Sequence, residues 1–218
     1  MQSIDELIDD FINELSVVEG KDFHNMYEGN VQRDNLNIYL DYMSAQKPEF
    51  LIVGEAAGYR GCGRTGIPFT DEATLTWLSD NVSDFFKCRV ISKPPTKEQS
   101  AQIIWEVLKQ NDPNGIPKFN RVVMWNAFPF HPFEADNPDT NRPPTESELQ
   151  IGKIFLMKLI DIFSMPQHQI KIYALGNVAA KTISKIMQMP LNSIDKIRHP
   201  AHGGKNKCQA GLISILDR

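Results

Sequence analysis

Apolar residues recur at helical spacing near the start of the chain. Ile4, Leu7, Ile8, Phe11, Ile12 and Leu15 share one face of a helix over residues 3 to 18. Ser3 and Glu6 stand at capping-box spacing at its beginning, and Gly20 is a stop signal. Residues 31 to 45 predict a second helix with Leu36, Tyr39, Leu40 and Met43 inward, and residues 23 to 30 between the two read as a loop. The period then changes. Phe50-Leu51-Ile52-Val53 is a short continuous apolar run, the mark of a buried strand over about 49 to 54. Arg121 to Trp125, Ile170 to Leu175 and Ile194 to Arg198 predict three more strands. Between and after them lie helical stretches at 72 to 80 with Asp71 as cap, 82 to 87, Thr96 to Gln110, Thr145 to Phe163, 178 to 188 and Asn206 to Leu216.

This alternation predicts a three-layer α/β/α fold with a central, mainly parallel four-stranded sheet. A single domain over residues 1–218 accommodates it, with the helices of residues 1–45 packing on the rest. Three stretches break the pattern after strands. Residues 54 to 66 hold Gly54, Gly58, Gly61, Gly63 and Gly66, closed by Pro68-Phe69. Residues 127 to 144 contain five prolines and three phenylalanines, a long stiff loop of the kind that carries function. His199-Pro200-Ala201-His202-Gly203-Gly204 is the third. In open α/β sheets ligands bind just past the carboxyl ends of the strands, so these segments are expected to converge on one pocket.

Charge and cysteine usage narrow the setting. The net charge of −4 gives no global basic field to draw the protein to nucleic acid, so any such contact needs a local basic cleft. Arg60, Arg64, Arg198, Lys205 and Lys207 flank the special loops and could supply one. Cys62, Cys88 and Cys208 are scattered and odd in number, which fits neither a disulfide framework nor a metal pair and points to a reducing, cytoplasmic setting. Acids stand near the N-terminus where a signal peptide would be basic, and no apolar run approaches ~18 residues, so neither export nor a membrane span is expected.

The glycine stretch is not GxxxxGK[ST], because no Lys-Ser/Thr follows Gly63 or Gly66, and Pro68 interrupts any GxGxxG helix start. Its backbone could still approach a flat or anionic ligand through free N–H groups. Asn126, after a strand, offers a donor and an acceptor side by side for a base edge, or it simply forms a turn. His199 could donate to a developing anion or carry protons, or be a surface loop residue. Phe69 is either a stacking platform or a core aromatic, and Glu55 either an acid–base group or a solvated carboxylate. Cys62 as a nucleophile has no partner at informative spacing, and the histidines have no metal-ligand spacing.

Gly54-Glu55-Ala56-Ala57-Gly58, the RTGIPFTDE of residues 64 to 72, Asn126 and His199-Pro200-Ala201 together resemble the uracil-DNA glycosylase superfamily, in order and spacing, from residue 49 to 212. Ala57 stands where the first motif usually has proline, Ala56 where the best-known branch has its catalytic aspartate, and Ala201 where the third motif has serine. The resemblance implies that Gly54, Ala56, Ala57 and Gly58 contact the pyrimidine and its sugar-phosphate, that Phe69 stacks on the flipped base and that Asn126 reads its edge. It implies that His199 hydrogen-bonds the base oxygen that becomes anionic. Glu55 and Glu72, with Asp71 behind them, are the carboxylates available to orient water or balance the sugar cation. Related branches often bind a four-iron cluster through four cysteines; with three unsuited cysteines here, no iron-sulfur cluster and no other cofactor is expected. The implied activity is hydrolysis of the N-glycosidic bond of uracil or a related deaminated base in DNA. The alternative is a catalytically inactive or differently specific nucleobase- or nucleic-acid-binding protein on the same fold. An α/β-type small-molecule hydrolase comes last, since no GxSxG elbow is present.

Overall fold

The structure, a computed structural model, describes residues 2–135, 137–164 and 169–218. Helix α1 (Ile4–Ser16) opens with the expected capping box, Ser3 and Glu6 exchanging hydrogen bonds of 3.2 and 2.7 Å. It buries Ile8, Phe11, Ile12 and Leu15, whereas Leu7 faces outward. The segment expected as a loop after it contains a two-residue strand, β1 (Phe23–His24), and a 3-10 turn over Met26–Glu28. Helix α2 (Asn30–Gln46) follows.

Strand β2 (Phe50–Ala56) leads through a one-turn helix, α3 (Cys62–Thr65), to α4 (Glu72–Asn81) and α5 (Gln99–Leu108). Next come β3 (Val122–Phe128), β4 (His131–Pro132), α6 (Glu146–Phe163), β5 (Lys171–Leu175), α7 (Asn177–Met187), β6 (Lys196–Ile197) and α8 (Lys205–Leu216). The region expected as a helix at 82 to 87 is a 3-10 turn, Ser83–Lys87.

The main sheet has the order β3-β2-β5-β6, all parallel. Helices α6 and α7 pack against its strands from one side, while α5 and α8 pack together on the other. The edge strand β3 is covered by α2, whose Tyr39 hydroxyl accepts the Met124 N–H at 2.8 Å. That contact occupies a donor that an open sheet edge would leave bare. The chain leaves β2 toward β3 on one side and later returns to β5 on the other. This switch point creates a crevice beyond the carboxyl ends of the strands. β1 and β4 form a separate antiparallel pair, Phe23 opposite Pro132 and His24 opposite His131, which ties residues 23–24 to the proline-rich stretch. Asp136, within that stretch, lies outside the described residues.

Candidate active site

Gly54 and Asn126 are partners in the parallel ladder between β2 and β3. A Cβ at Gly54 would stand 2.1 Å from Phe69 Cζ and 2.8 Å from Asn126 Oδ1, so only glycine leaves room for both groups. Asn126 does not form a turn: it lies inside β3, two residues before its end, and is 2 % exposed. Its Oδ1 is buried and has no hydrogen-bond partner among the described residues. Leaving such an acceptor unsatisfied costs about 1–3 kcal/mol, a cost that a ligand donor would remove.

Phe69 is presented by a tightly braced turn. The Thr65 hydroxyl donates to Thr70 O at 2.7 Å and accepts the Ile67 N–H at 3.1 Å. Asn35, fully buried in α2, donates to Thr65 O at 2.9 Å, and Tyr27 donates to Gly66 O at 3.2 Å. Gly66 has φ 78°, and a Cβ there would meet Gln32 O at 2.2 Å. Phe69 itself has φ 52°, a left-handed conformation rare for an aromatic residue and often found where function holds it. Its carbonyl accepts the Trp105 Nε1–H at 3.0 Å.

His199 follows β6 and crosses over Gly176, where a Cβ would come within 2.9 Å of the His199 Cβ. Its Nδ1 accepts the Ala201 N–H at 3.2 Å, which puts the proton of the neutral ring on Nε2. Burial pushes the His199 imidazole below its ordinary value against the opposing charge of Glu98, so the ring is neutral at pH 7.

Phe69, Asn126 and His199 meet with Ala56 and Gly58 around a cavity of about 370 Å³ at the carboxyl edge of the sheet. A neighbouring cavity of about 430 Å³ shares Tyr59, Arg60 and Lys97 with it and adds Arg64. Among the described residues, Arg60, Arg64 and Lys97 have no ion-pair partner. Lys205 is paired with Glu106 at 2.7 Å, and Arg198 donates to His199 O at 3.2 Å. The local basic surface therefore lies on the glycine loop and the start of α5. Lys97, Glu98, Ser100, Tyr59 and Asn141 also line the first cavity. Their sequence context carries no motif, apart from the nearby helix start.

Other expected groups lie elsewhere. Ala57 is buried outside the lining, and His131 spans the carbonyls of Ala57 and Pro138 at 3.1 and 2.9 Å. Glu55 does not line the cavity; strand alternation puts it on the face opposite Gly54 and Ala56, where burial pushes its carboxyl up. Glu72 is not brought to the cavity either. Its buried carboxylate accepts the N–H groups of Ile91, Ser92 and Thr96 at 2.7, 2.9 and 2.9 Å and the Thr96 hydroxyl at 2.7 Å. Against the upward push of burial, these bonds bring the Glu72 carboxyl down to about 2. Asp71 caps α4 through the Thr74 N–H at 2.8 Å and accepts from the Glu98 N–H and Gln102 Nε2 at 2.8 and 2.7 Å.

The second half of the glycine loop, residues 63 to 66, is closed on itself and is no anion cradle. The Gly63, Arg64, Thr65 and Gly66 N–H groups bond to Gly58, Gly61, Gly61 and Cys62 carbonyls at 2.9, 2.9, 3.1 and 2.7 Å. Burial pushes the Cys62 thiol up to about 12, which removes it as a thiolate nucleophile. Among the described residues no group of three or more His, Cys, Asp or Glu could hold a metal ion, and no helix is long and apolar enough to cross a membrane.

The parallel order β3-β2-β5-β6 and a pocket past the carboxyl ends of its strands define an open-sheet α/β protein with a strand-end site. The family model of the uracil DNA glycosylase superfamily matches residues 40–213, and the chain belongs to that superfamily. No curated protein matches the sequence. Among solved structures the chain is similar to wild-type SMUG2 of Pedobacter heparinus, with a TM-score of 0.62 and 16 % identity over 96 % of this chain and 95 % of that one. At that identity the likeness is one of fold.

Proposed function

We propose that the protein is a DNA-repair N-glycosylase that hydrolyses the N-glycosidic bond of uracil or a related deaminated base. The observation that carries this reading is the unpartnered, buried Oδ1 of Asn126 in a cavity shared with a neutral His199. Deamination leaves a ring N–H beside a carbonyl. The Asn126 amide matches that edge, Oδ1 accepting from the N–H and Nδ2 donating to the carbonyl. Phe69 stacks on the extruded base, since the scissile bond is inaccessible within the duplex. Ala56 and Gly58 form the wall along the base and sugar, and Gly54 behind them clears the space for Phe69 and Asn126. His199 Nε2–H donates to the base oxygen on which negative charge grows as the bond breaks. A donor aimed at developing charge acts mainly in the transition state. Arg60, Arg64 and Lys97 face the phosphates.

The test is incubation with single- and double-stranded oligonucleotides carrying uracil, hypoxanthine, xanthine or no lesion, followed by alkaline cleavage at abasic sites. Cleavage at one or more lesions is expected. His199→Ala should lower the excision rate about 100- to 1000-fold with little change in DNA affinity. A wild-type protein that leaves every lesion intact overturns the glycosylase reading.

A non-catalytic base binder on the same fold is the second reading. It is favoured by Ala56, which lines the cavity and gives it no carboxylate from the first motif.

A further inference from the structure

We propose that Glu98 is the carboxylate that serves the sugar side of this reaction, orienting the attacking water and taking its proton. The assignment rests on the glycosylase reading above. Among the described residues that line the cavity with Asn126, Phe69 and His199, Glu98 is the one acid. The three carboxylates nearest the sequence motifs are all turned away from that cavity or already occupied: Glu55 by strand alternation, Glu72 by four hydrogen bonds to residues 91 to 96, and Asp71 by three.

Glu98 is held in an unusual way. It is the N-cap of α5, its Oε1 accepting the Ser100 N–H at 3.0 Å and its Oε2 the Ala101 N–H at 2.8 Å. N-cap positions favour Ser, Thr, Asp and Asn, whose short side chains reach the helix end directly. A glutamate there performs the capping with a longer arm that reaches the cavity wall. Each oxygen keeps acceptor capacity after one N–H bond. The Glu98 side chain lies against the glycine loop: a Cβ at Gly61 would stand in ordinary contact, 3.6 Å, with Glu98 Cβ, Cγ and Oε2. The backbone of Glu98 is fixed by Asp71, and the Thr96 approach to it by Glu72. The acidic pair at the end of the RTGIPFTDE segment thus acts one step removed, by presenting Glu98. The Glu98 charge is also felt at His199, as expected of two groups on one cavity.

The step balances with water alone. The C1′–N bond breaks and its electron pair leaves with the base, whose oxygen is steadied by His199 Nε2–H. Water oxygen bonds to C1′ of the sugar cation while one water proton passes to Glu98. Solvent protonates the base anion, and Glu98 returns its proton to solvent. The products are the free base and an abasic site.

The competing explanation is that Glu98 is only a helix cap, and two substitutions separate the two. Glu98→Ser keeps a favoured N-cap residue and removes the carboxylate from the cavity. Glu98→Gln keeps the length and one acceptor. Thermal midpoint, affinity for a lesion-bearing oligonucleotide and single-turnover excision rate are measured for both. The expected result is an excision rate about 100-fold lower or more in both variants, with affinity little changed and the Glu98→Ser midpoint preserved. Glu98→Ser excising at the wild-type rate overturns the proposal and leaves the glycosylase reading standing. Full activity in Glu98→Gln beside a slow, early-melting Glu98→Ser makes the residue a cap only and overturns it equally. A wild-type protein inert on every lesion overturns both.

Discussion

Glu72→Gln distinguishes a brace from a reacting group. The Glu72 carboxyl sits at about 2 against an ordinary 4.5, with burial opposing and the Thr96, Ser92 and Ile91 hydrogen bonds lowering it. At 1.36 kcal/mol per unit, the ceiling of this contribution to stability is about 3 kcal/mol. The side chain is inaccessible, but the segment it holds is open to solvent, Ile91 being 48 % exposed, so screening reduces the effect. We take about 2 kcal/mol, which agrees with the cost of losing charge-assisted hydrogen bonds, about 1.5–3 kcal/mol. Glutamine keeps the length of the side chain but turns an NH₂ toward groups that are themselves donors. The folded carboxyl is depressed, so its contribution is fully present above about 4.5 and is lost as the pH falls toward 2. Urea unfolding at pH 7 should show a lower midpoint for Glu72→Gln with an unchanged slope. The gap between the two proteins should shrink to roughly two-fifths at pH 3. Folded Glu72→Gln protein should keep its excision rate within about tenfold, a change of about 1.4 kcal/mol. Equal midpoints at pH 7, or a gap that acid leaves unchanged, would refute the brace. So would excision abolished at unaltered stability, which would put Glu72 in the reaction.

Gly54→Ala forces a Cβ to within 2.1 Å of the Phe69 ring, so it should cost about 1–3 kcal/mol in unfolding experiments and reduce excision by displacing the stacking face; a fully active Gly54→Ala would contradict the placement of Phe69. Burial lowers His199, so the neutral ring that carries Nε2–H persists below pH 6.5; the single-turnover rate should stay flat from pH 8 to 6.5, and a fall centred near 6.5 that His199→Gln abolishes would count against the lowering of the ring by burial. Removing Arg60 and Lys97 together should weaken DNA binding evenly across sequences and reduce the slope of log affinity against log salt by about 2, measured by titration at several salt concentrations; an unchanged slope would move the phosphate contact elsewhere.

What the sequence discloses here follows from the range of the forces involved. Strand β2 and the helix after Thr145 are legible because their signals are local: a branched apolar run, and a box in which Thr145 and Glu148 bond each other at 2.6 and 3.3 Å. The start of α5 is misread for the same reason. Thr96 after the two prolines reads as the helix start, but its hydroxyl is drawn away to Glu72, 24 residues earlier, and Glu98 caps instead. Asn126 looks like a strand end because it is polar; the strand continues through Ala127 and Phe128 because Asn126 faces a cavity rather than the core. The short pairing of Phe23–His24 with His131–Pro132 has no period to read, and it spans more than 100 residues. The glycine loop looks open from its composition, yet the N–H groups of its second half, residues 63 to 66, close on loop carbonyls as a helical turn. Asn126, Phe69 and His199 were legible as a set through their motifs, whereas Glu98, Lys97 and Asn141 reach the cavity only through tertiary packing.

Ala56 is the residue that most favours a non-catalytic binder, because it leaves the first motif without a carboxylate in the cavity. A glycosylase, however, needs a negative group at the sugar, not a particular strand from which to present it. The fold offers two walls to the cavity, the end of β2 and the start of α5, and a side chain on either can face a sugar between them. A carboxylate at position 56 would ride on the sheet itself. One at position 98 rides on a helix end that must be held in place, and the segment 91 to 98 is held by Asp71 and Glu72 through Ile91, Ser92, Thr96 and Glu98. A binder has no need for two buried carboxylates spent on fixing one cavity wall, since stacking on Phe69 and pairing with Asn126 would retain a base without it. The bracing of Glu98 is therefore the feature that favours the enzyme over the binder, and it makes Glu98→Ser more informative than Ala56→Asp. The first asks whether the wall the protein has built is used, and the second only whether another could be.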